Sequence, residues 1–147
     1  MDGKITKVID GDTFWYATKY GTFKVRLAAI DAPELSQDYG VESKNYISKY
    51  LNMPSSITII QTDCWGRALA YLKVGNTDIN LLMIASGNAW HYSHFDNNDA
   101  YELACRLAKI NKIGLWKKDN PIEPRIFRKK FKKKDSISWN IYDYKEK

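Results

Sequence analysis

The sequence predicts an α+β fold, in which a five-stranded Greek-key β-barrel is accompanied by three α-helices. Two observations predict this class. Apolar and polar residues alternate in five short runs, three before residue 31 and two after residue 55, which is the period of half-buried strands. Between the two groups, and again after them, apolar residues recur at helical spacing. This order of elements is the layout of a small barrel of the OB type.

The first three strands form an antiparallel meander. They are residues 4–9 (KITKVI), 13–20 (TFWYATKY) and 22–30 (TFKVRLAAI). An Asp-Gly-Asp stretch joins the first two strands, and Gly21 makes the turn between the second and third. In the third strand Val25 and Leu27 lie on one face and Arg26 on the other, because successive side chains of a strand point to opposite faces.

Two further strands and three helices complete the predicted fold. The strands are residues 56–63 (SITIIQTD) and 67–74 (RALAYLKV). The first helix covers residues 41–51 and ends before Pro54. The second follows Thr77, which can serve as its N-cap, and runs to about residue 86. The third has Asp99 as its expected N-cap and ends near Gly114.

The chain has the size and composition of one globular domain. It contains 147 residues, of which 44% are apolar and 27% charged, and this excludes disorder of the whole chain. We expect one domain over residues 1–118 and a partly flexible extension over residues 119–147. Residues 125–134 contain seven Lys or Arg and no acid, and therefore carry a charge of +7. Since the whole chain has a net charge of +6, the other residues sum to −1 and are slightly acidic. Any nucleic-acid binding by the domain must therefore rest on local chemistry.

Several other classes of protein are disfavoured. Cys64 and Cys105 form no Cys-x-x-Cys motif, which argues against a zinc ribbon or a disulfide framework. No apolar run approaches the ~20 residues that cross a bilayer, so no membrane partner is expected. No apolar signal region stands at the start, so the compartment stays open. The protein is cytoplasmic if Met1 is its natural start, and secreted or periplasmic if a leader preceded it. We expect a monomer.

The stretch VIDGDTF places two carboxylates, Asp10 and Asp12, on either side of Gly11. Asp-Gly is a common turn signal, and a turn is the better explanation of this stretch taken alone. The downstream stretch RLAAIDAPEL changes that balance, because it delivers further charged side chains to the end of the next strand.

Three carboxylates and an arginine are expected to converge at this strand end. Asp12 lies at the mouth of the hairpin, and Arg26, Asp31 and Glu34 arrive where the following strand ends. Hard oxygen ligands of this kind suit a divalent cation such as calcium. The proline after Ala32 biases that residue towards an extended conformation, in which its carbonyl can point inward. The alternative is a surface salt-bridge cluster in which Arg26 neutralises Asp31 or Glu34.

Four motifs together resemble the staphylococcal (micrococcal, thermonuclease-type) nuclease family. They are DGDTF, VRLAAIDAPE, DCWGRALAYL and INLLMIASGNAW, and the resemblance covers about residues 3–116. It implies an OB-fold barrel with three helices and calcium-dependent hydrolysis of phosphodiesters in both DNA and RNA. The third motif adds a second arginine, Arg67, directly after a tight glycine turn.

The resemblance also implies roles for individual residues. Asp12 and Asp31 match the calcium carboxylates of the family, and Ala32 matches the residue whose backbone carbonyl joins them. Asp10 stays closer to the turn interpretation, with a supporting role in orienting metal-bound water.

The catalytic residues carry over in the same way. Glu34 matches the glutamate assigned as general base towards the attacking water. Arg26 and Arg67 match the two arginines that hold the scissile phosphate. Their planar donor forks suit this task, because each can bind two phosphate oxygens at once.

The sequence departs from the family pattern in a few places. Ala32 stands where Thr is common, and the segment after Glu34 is shortened, which puts a lid-like substrate contact there in doubt. Cys64 and Trp65 replace a basic-aromatic pair, so a basic contact is lost while Trp65 keeps an aromatic face for stacking on a base. Tyr92 is expected to line the base-binding cleft. Packing in the core is the alternative for both aromatic residues.

The sequence therefore predicts a calcium-dependent endonuclease that acts on DNA and RNA without strong sequence specificity. The main alternative is a catalytically weak or inactive domain of the same fold that binds nucleic acid or protein. Retention of all five matched side chains argues against it. The basic run of residues 125–134 is most simply a solvated charge run. It could also bind the nucleic-acid backbone and supply salt-dependent affinity.

Overall fold

A computed structural model describes residues 1–93 and 97–131 of the chain. Within these residues the strands are β1 Asp2–Asp10, β2 Thr13–Thr18, β3 Gly21–Leu27, β4 Ile30–Asp31, β5 Ser55–Thr62, β6 Ala68–Val74, β7 Thr77–Asp78 and β8 Trp90–His91. The helices of the same residues are α1 Gly40–Ser48, α2 Ile79–Ala85, α3 Asp99–Ile110 and α4 Pro124–Phe131, with a 3-10 helix at Gly114–Lys117. None of these helices has the length and apolarity to cross a membrane.

The five long strands close into a barrel. β1, β2 and β3 form the predicted antiparallel meander, β5 pairs with both β1 and β6, and β3 pairs with β6 in parallel. The parallel pairing sets Arg26 opposite Leu69 and so closes the sheet. The predicted α+β class and OB-like barrel are confirmed. Against the three predicted helices, the described residues form four α-helices, and α4 is the addition.

The barrel interior holds the alternating apolar residues of the strands. In β2 Phe14 and Tyr16 are fully buried while Trp15 between them faces outward, which is the period-2 pattern read from the sequence. Ile47 of α1 and Met83 of α2 belong to the same core cluster and are also fully buried. Each such side chain stabilises the fold by roughly 1.5–3 kcal/mol through loss of water contact.

A buried asparagine joins α2 to the barrel where it closes. Asn80 Nδ2 donates to the carbonyl oxygens of Ala28, at 2.9 Å, and Ala70, at 3.3 Å, and its Oδ1 accepts from the Leu72 N–H at 2.9 Å. The Ala28 N–H in turn donates to the Ala70 carbonyl at 2.8 Å. Since Asn80 is fully buried, these bonds fix the start of the loop that leads from β3 to Asp31.

Two helix caps differ by one residue from the sequence prediction. Asp78, not Thr77, caps α2, because its carboxylate accepts from the Leu81 N–H. Asn98 caps α3 by accepting from the Ala100 and Tyr101 N–H groups, and Asp99 is the first residue of the helix. Both sites still follow the preference for a short polar side chain at a helix start.

The chain beyond residue 118 folds back onto the body. Gln37 Nε2 donates to the Ile122 carbonyl, and Arg128 of α4 pairs with Asp31. Up to residue 131 the structure therefore shows a docked helix where the sequence suggested a solvated charge run. The domain boundary at residue 118 stays a prediction. The rest of the basic run, residues 132–134, lies outside the described residues, as does the remaining extension to residue 147.

Candidate active site

The Asp-Gly-Asp turn between β1 and β2 is shaped by a close approach. A Cβ added at Gly11 would lie 2.7 Å from Ala32 Cβ and 2.9 Å from Ser43 Cβ. Only glycine lets the turn lie directly against the segment after β4 and against α1. The Asp12 N–H also donates to Asp10 Oδ1 at 3.1 Å. This is the side-chain to backbone bond that an aspartate makes in a turn.

Asp12 and Asp31 meet at a single guanidinium. Arg26 Nη2 lies 3.4 Å from Asp12 Oδ2 and 3.2 Å from Asp31 Oδ1. The pairing of Thr13 with Arg26 across β2 and β3 brings Asp12 alongside. Asp12 Oδ2 accepts from the Ala32 N–H at 2.7 Å, and Oδ1 accepts from the Thr13 hydroxyl at 3.0 Å. The structure thus brings these side chains together, as the strand order predicts.

Arg26 is built into the framework of the site. Its Nη1 donates to the Leu27 carbonyl at 2.7 Å and to the Ile30 carbonyl at 3.0 Å. In the loop between these two carbonyls, Ala29 adopts a left-handed conformation with φ of 67°. The side chains of Arg26 and Asp31 are 3% and 2% exposed. The ion pair of the salt-bridge alternative therefore exists, but it is buried and not on the surface. A buried charge of this kind needs its partners nearby, because desolvation is costly.

The two aspartates of the turn titrate in opposite directions. Burial, reinforced by the negative charge of Asp12, raises the pKa of Asp10 well above its ordinary value. Burial also opposes ionisation of Asp12, but the Arg26 charge and hydrogen bonds from Asp10, Ala32 and Thr13 hold the pKa of Asp12 below its ordinary value. The pair therefore favours one proton on Asp10 and a charge on Asp12.

Glu34 lies beside this cluster in a different setting. Burial raises the pKa of Glu34 to about 7, and the charges of Asp12 and Asp31 add to the effect, against the opposing charges of Arg128 and Arg26. Its backbone N–H donates to Gln37 Oε1 at 3.0 Å, which fixes the turn after Asp31. A carboxyl group that titrates near neutral pH is suited to accept and release protons.

Arg128 is a residue of the site that the sequence prediction missed. Its Nη1 lies 3.1 Å from Asp31 Oδ1 and its Nη2 lies 3.2 Å from Asp31 Oδ2, and Nη1 is 3.8 Å from Glu34 Oε2. The Arg128 side chain is 9% exposed, so this two-pronged pair is largely removed from water.

A signal for this helix was present in the sequence. Pro124 suits the first position of a helix, and in the segment that follows it phenylalanines recur four residues apart, which is the spacing of a helix. The dense positive charge of the segment hid this pattern. No local rule connects Arg128 with Asp31, because 97 residues separate them.

Arg67 is held in a separate turn between β5 and β6. Asp63 organises this turn, since its Oδ1 accepts from the Trp65 N–H at 2.9 Å and the Arg67 N–H at 2.8 Å. Arg67 Nε donates to Asp63 Oδ2 at 2.6 Å. Its Nη2 is buried and has no hydrogen-bond partner among the described residues. Leu69, two residues after Arg67, pairs with Arg26 across β6 and β3, so the turn leads into the strand that lies beside Arg26. The sequence prediction did not include Asp63 as a residue that positions Arg67.

The two predicted substrate-binding aromatic residues have different surroundings. Trp65 is 51% exposed at the tip of the Arg67 turn, so packing in the core does not describe it. Tyr92 is 4% exposed and packs against Ala28 and Leu69 beside the end of β3. Contact of either ring with a base stays a prediction.

The residues of the site limit what could bind there. Among the described residues no group of three or more His, Cys, Asp or Glu side chains is arranged to hold a metal ion. Asp12 and Asp31 supply a smaller set of hard oxygen donors, whose chemistry fits calcium when carbonyl oxygens and water complete the shell. Ala32 enters the site through its N–H, and ligation by its carbonyl stays a prediction.

Comparison with known proteins agrees with this arrangement. A family model described as staphylococcal nuclease homologue matches residues 24–118. The chain is 38% identical over 132 residues, 88% of its length and 74% of that of the relative, to an uncharacterized endonuclease of Haemophilus influenzae. It is 30% identical over 140 residues, 86% of its length and 80% of that of the relative, to a micrococcal nuclease of Shigella flexneri. With the barrel, the two aspartates and both arginines of the motifs in place, the chain belongs to the staphylococcal nuclease family.

Proposed function

We propose that this protein is a calcium-dependent endonuclease that hydrolyses phosphodiester bonds in DNA and RNA without strong sequence specificity. One observation carries the proposal. Two buried carboxylates, Asp12 and Asp31, converge on Arg26 at the barrel end, next to a glutamate whose pKa lies near neutrality. The names of the relatives support nuclease activity as the reaction class.

The charge balance of the site favours a bound cation. Four acidic side chains, Asp10, Asp12, Asp31 and Glu34, share the site with the guanidiniums of Arg26 and Arg128, so their full ionisation leaves two negative charges that a divalent cation would balance. Asp12 and Asp31 would hold calcium. When bound, it would supply positive charge that polarises the phosphate and lowers the pKa of water.

The protein's own side chains would act on the phosphate and on the attacking water. A phosphodiester gains negative charge on its non-bridging oxygens as water adds, and guanidiniums placed there stabilise that charge more than they stabilise the ground state. The buried Nη2 of Arg67 supports such a role, because a substrate oxygen would satisfy it. Glu34 would orient the water and accept its proton.

The proposed absence of sequence specificity follows from the same groups. Arginines and a cation bind the phosphate, which is identical in every nucleotide. The exposed ring of Trp65 can stack on any base, since every base has a π-face. Neither contact distinguishes DNA from RNA.

The test is a digestion of single-stranded DNA, duplex DNA and RNA with calcium, with magnesium and with EDTA. We expect cleavage of all three with calcium and none with EDTA. Arg67→Ala should lower kcat by about 10²–10³-fold and Glu34→Gln by about 10²–10⁴-fold. Arg106→Ala and Glu42→Gln are matched controls at exposed positions and should cleave like the wild type.

Two results would refute the proposed mechanism. One is cleavage that survives EDTA, and the other is cleavage that is indifferent to both site substitutions. Retention of nucleic acid without any cleavage would instead identify the inactive binding domain that the sequence left as the main alternative.

A further inference from the structure

The docked arginine and the proposed cation need the same carboxylate. Asp31 Oδ1 accepts from Arg26 Nη2 at 3.2 Å and from Arg128 Nη1 at 3.1 Å, and Oδ2 accepts from Arg128 Nη2 at 3.2 Å. A carboxylate offers about four lone-pair positions. Guanidinium groups thus occupy most of Asp31. A cation shared by Asp12 and Asp31 would therefore compete with the two arginines for Asp31 oxygen.

Of the two arginines, Arg128 is the one that can move away from Asp31. Arg26 lies on β3 and is tied to the carbonyls of Leu27 and Ile30 as well as to the carboxylates. Arg128 instead lies on α4, a helix of eight residues outside the barrel. Phe127 of the same helix borders a cleft of about 340 Å³. A shift of α4 can therefore move Arg128 without opening the barrel core.

We propose that Arg128 is a third arginine of the active centre, which yields Asp31 to the cation and then binds the phosphate of the substrate. This inference rests on the proposed function. The fork that fits a carboxylate in two-pronged geometry also fits a phosphate. Arg128 Nη1 already lies 3.8 Å from Glu34 Oε2, so the fork stands beside the proposed general base.

The proposal gives Arg128 an unusual mutational signature. Its positive charge opposes a cation at Asp31 and attracts a phosphate, so its removal should strengthen cation binding and weaken nucleic-acid binding. A residue that only held α4 in place would not improve cation binding when it is lost. The two affinities together therefore distinguish the proposed role from a purely structural one.

The experiment measures both affinities on the full chain. Calcium binding is titrated by calorimetry without nucleic acid, for the wild type, Arg128→Gln and Lys129→Gln. Binding of a short single-stranded DNA oligonucleotide is then followed by fluorescence anisotropy in calcium, with Glu34→Gln added to every protein to prevent cleavage. Lys129 is exposed on the same helix, so Lys129→Gln controls for the loss of one charge.

In Arg128→Gln we expect the Kd for calcium to fall about tenfold and the Kd for the oligonucleotide to rise about tenfold. Lys129→Gln should leave the calcium Kd within about twofold of the wild type. If Arg128→Gln unfolds below the assay temperature, Arg128→Lys replaces it. That variant keeps the charge but loses the fork, and the oligonucleotide Kd should still rise.

The outcomes separate this inference from the proposed function. A calcium Kd that is unchanged or higher in Arg128→Gln, or an unchanged oligonucleotide Kd, overturns the role of Arg128 and leaves the nuclease proposal intact. Failure of the wild type to bind calcium overturns both.

Discussion

Replacing Gly11 with alanine tests whether the Asp-Gly-Asp turn is set by space. The added Cβ would lie 2.7 Å from Ala32 Cβ and 2.9 Å from Ser43 Cβ, whereas ordinary contacts are 3.4–4 Å. Neither neighbouring Cβ can rotate away, because each is bonded directly to its backbone. The turn must therefore retreat from Ala32, and the 2.7 Å bond from the Ala32 N–H to Asp12 Oδ2 should break.

The expected cost follows from these two changes. Overpacking of a tight site costs about 1–3 kcal/mol. A lost hydrogen bond to a charged acceptor costs about 1.5–3 kcal/mol. With partial relaxation, we expect Gly11→Ala to lower the free energy of unfolding by about 3 kcal/mol, which corresponds to a Tm lower by about 6–12 °C for a chain of this size. Nuclease activity should fall as well, because Asp12 moves.

Gly75→Ala is the matched control. Gly75 also lies in a turn, with φ of 61°, but a Cβ there meets nothing within 4 Å. That change should cost only about 1–2 kcal/mol through its left-handed backbone and should leave activity unchanged. Urea unfolding curves and cleavage rates are measured for both variants. The reasoning fails if Gly11→Ala is no less stable than Gly75→Ala and cleaves at the wild-type rate.

Three further predictions concern single side chains. Asp63→Ala removes the acceptor of the 2.6 Å bond from Arg67 Nε, so kcat/KM should fall about tenfold, and an unchanged kcat/KM would contradict the positioning role. Asn80→Ala leaves buried backbone groups without their hydrogen-bond partner, so the free energy of unfolding measured in urea should fall by about 3 kcal/mol. A fall of less than about 1 kcal/mol would contradict a stabilising role of these bonds. Burial raises the pKa of Glu34 from 4.5 to about 7, so the folded protein binds a proton that the unfolded chain releases, and stability in EDTA should fall as the pH rises between these values. Glu34→Gln should reduce that fall, because the raised pKa of Asp10 still contributes to it, and the variant should be more stable than the wild type at pH 8. Parallel pH curves for the two proteins would exclude the shift.

The barrel was predictable because its signals are local. Alternation over six to nine residues identifies a strand, and Asp-Gly or Gly21 marks the turn that follows it. The bounds moved by only a few residues, as in β3, predicted over residues 22–30 and observed at Gly21–Leu27. Caps shifted by one position, since several short polar residues are adjacent there and only geometry selects among them.

The site was predictable in part. The motif residues Asp12, Arg26 and Asp31 come together because the meander brings consecutive strand ends to one edge. Arg67 occupies the expected glycine turn, but its pairing with Asp63 was not foreseen, although the two residues are only four apart.

The sequence by itself determined the alternating pattern that makes a barrel and the types of side chain at its end. Only the tertiary structure decided which partners those side chains have. Gly11 is required by contacts with Ala32 and Ser43, which are distant in sequence, and Asp31 is held by an arginine 97 residues away. The physical reason is that periodicity reports the few residues within one turn or strand, whereas the partners of a buried charge are set by which distant segments the closed fold brings together.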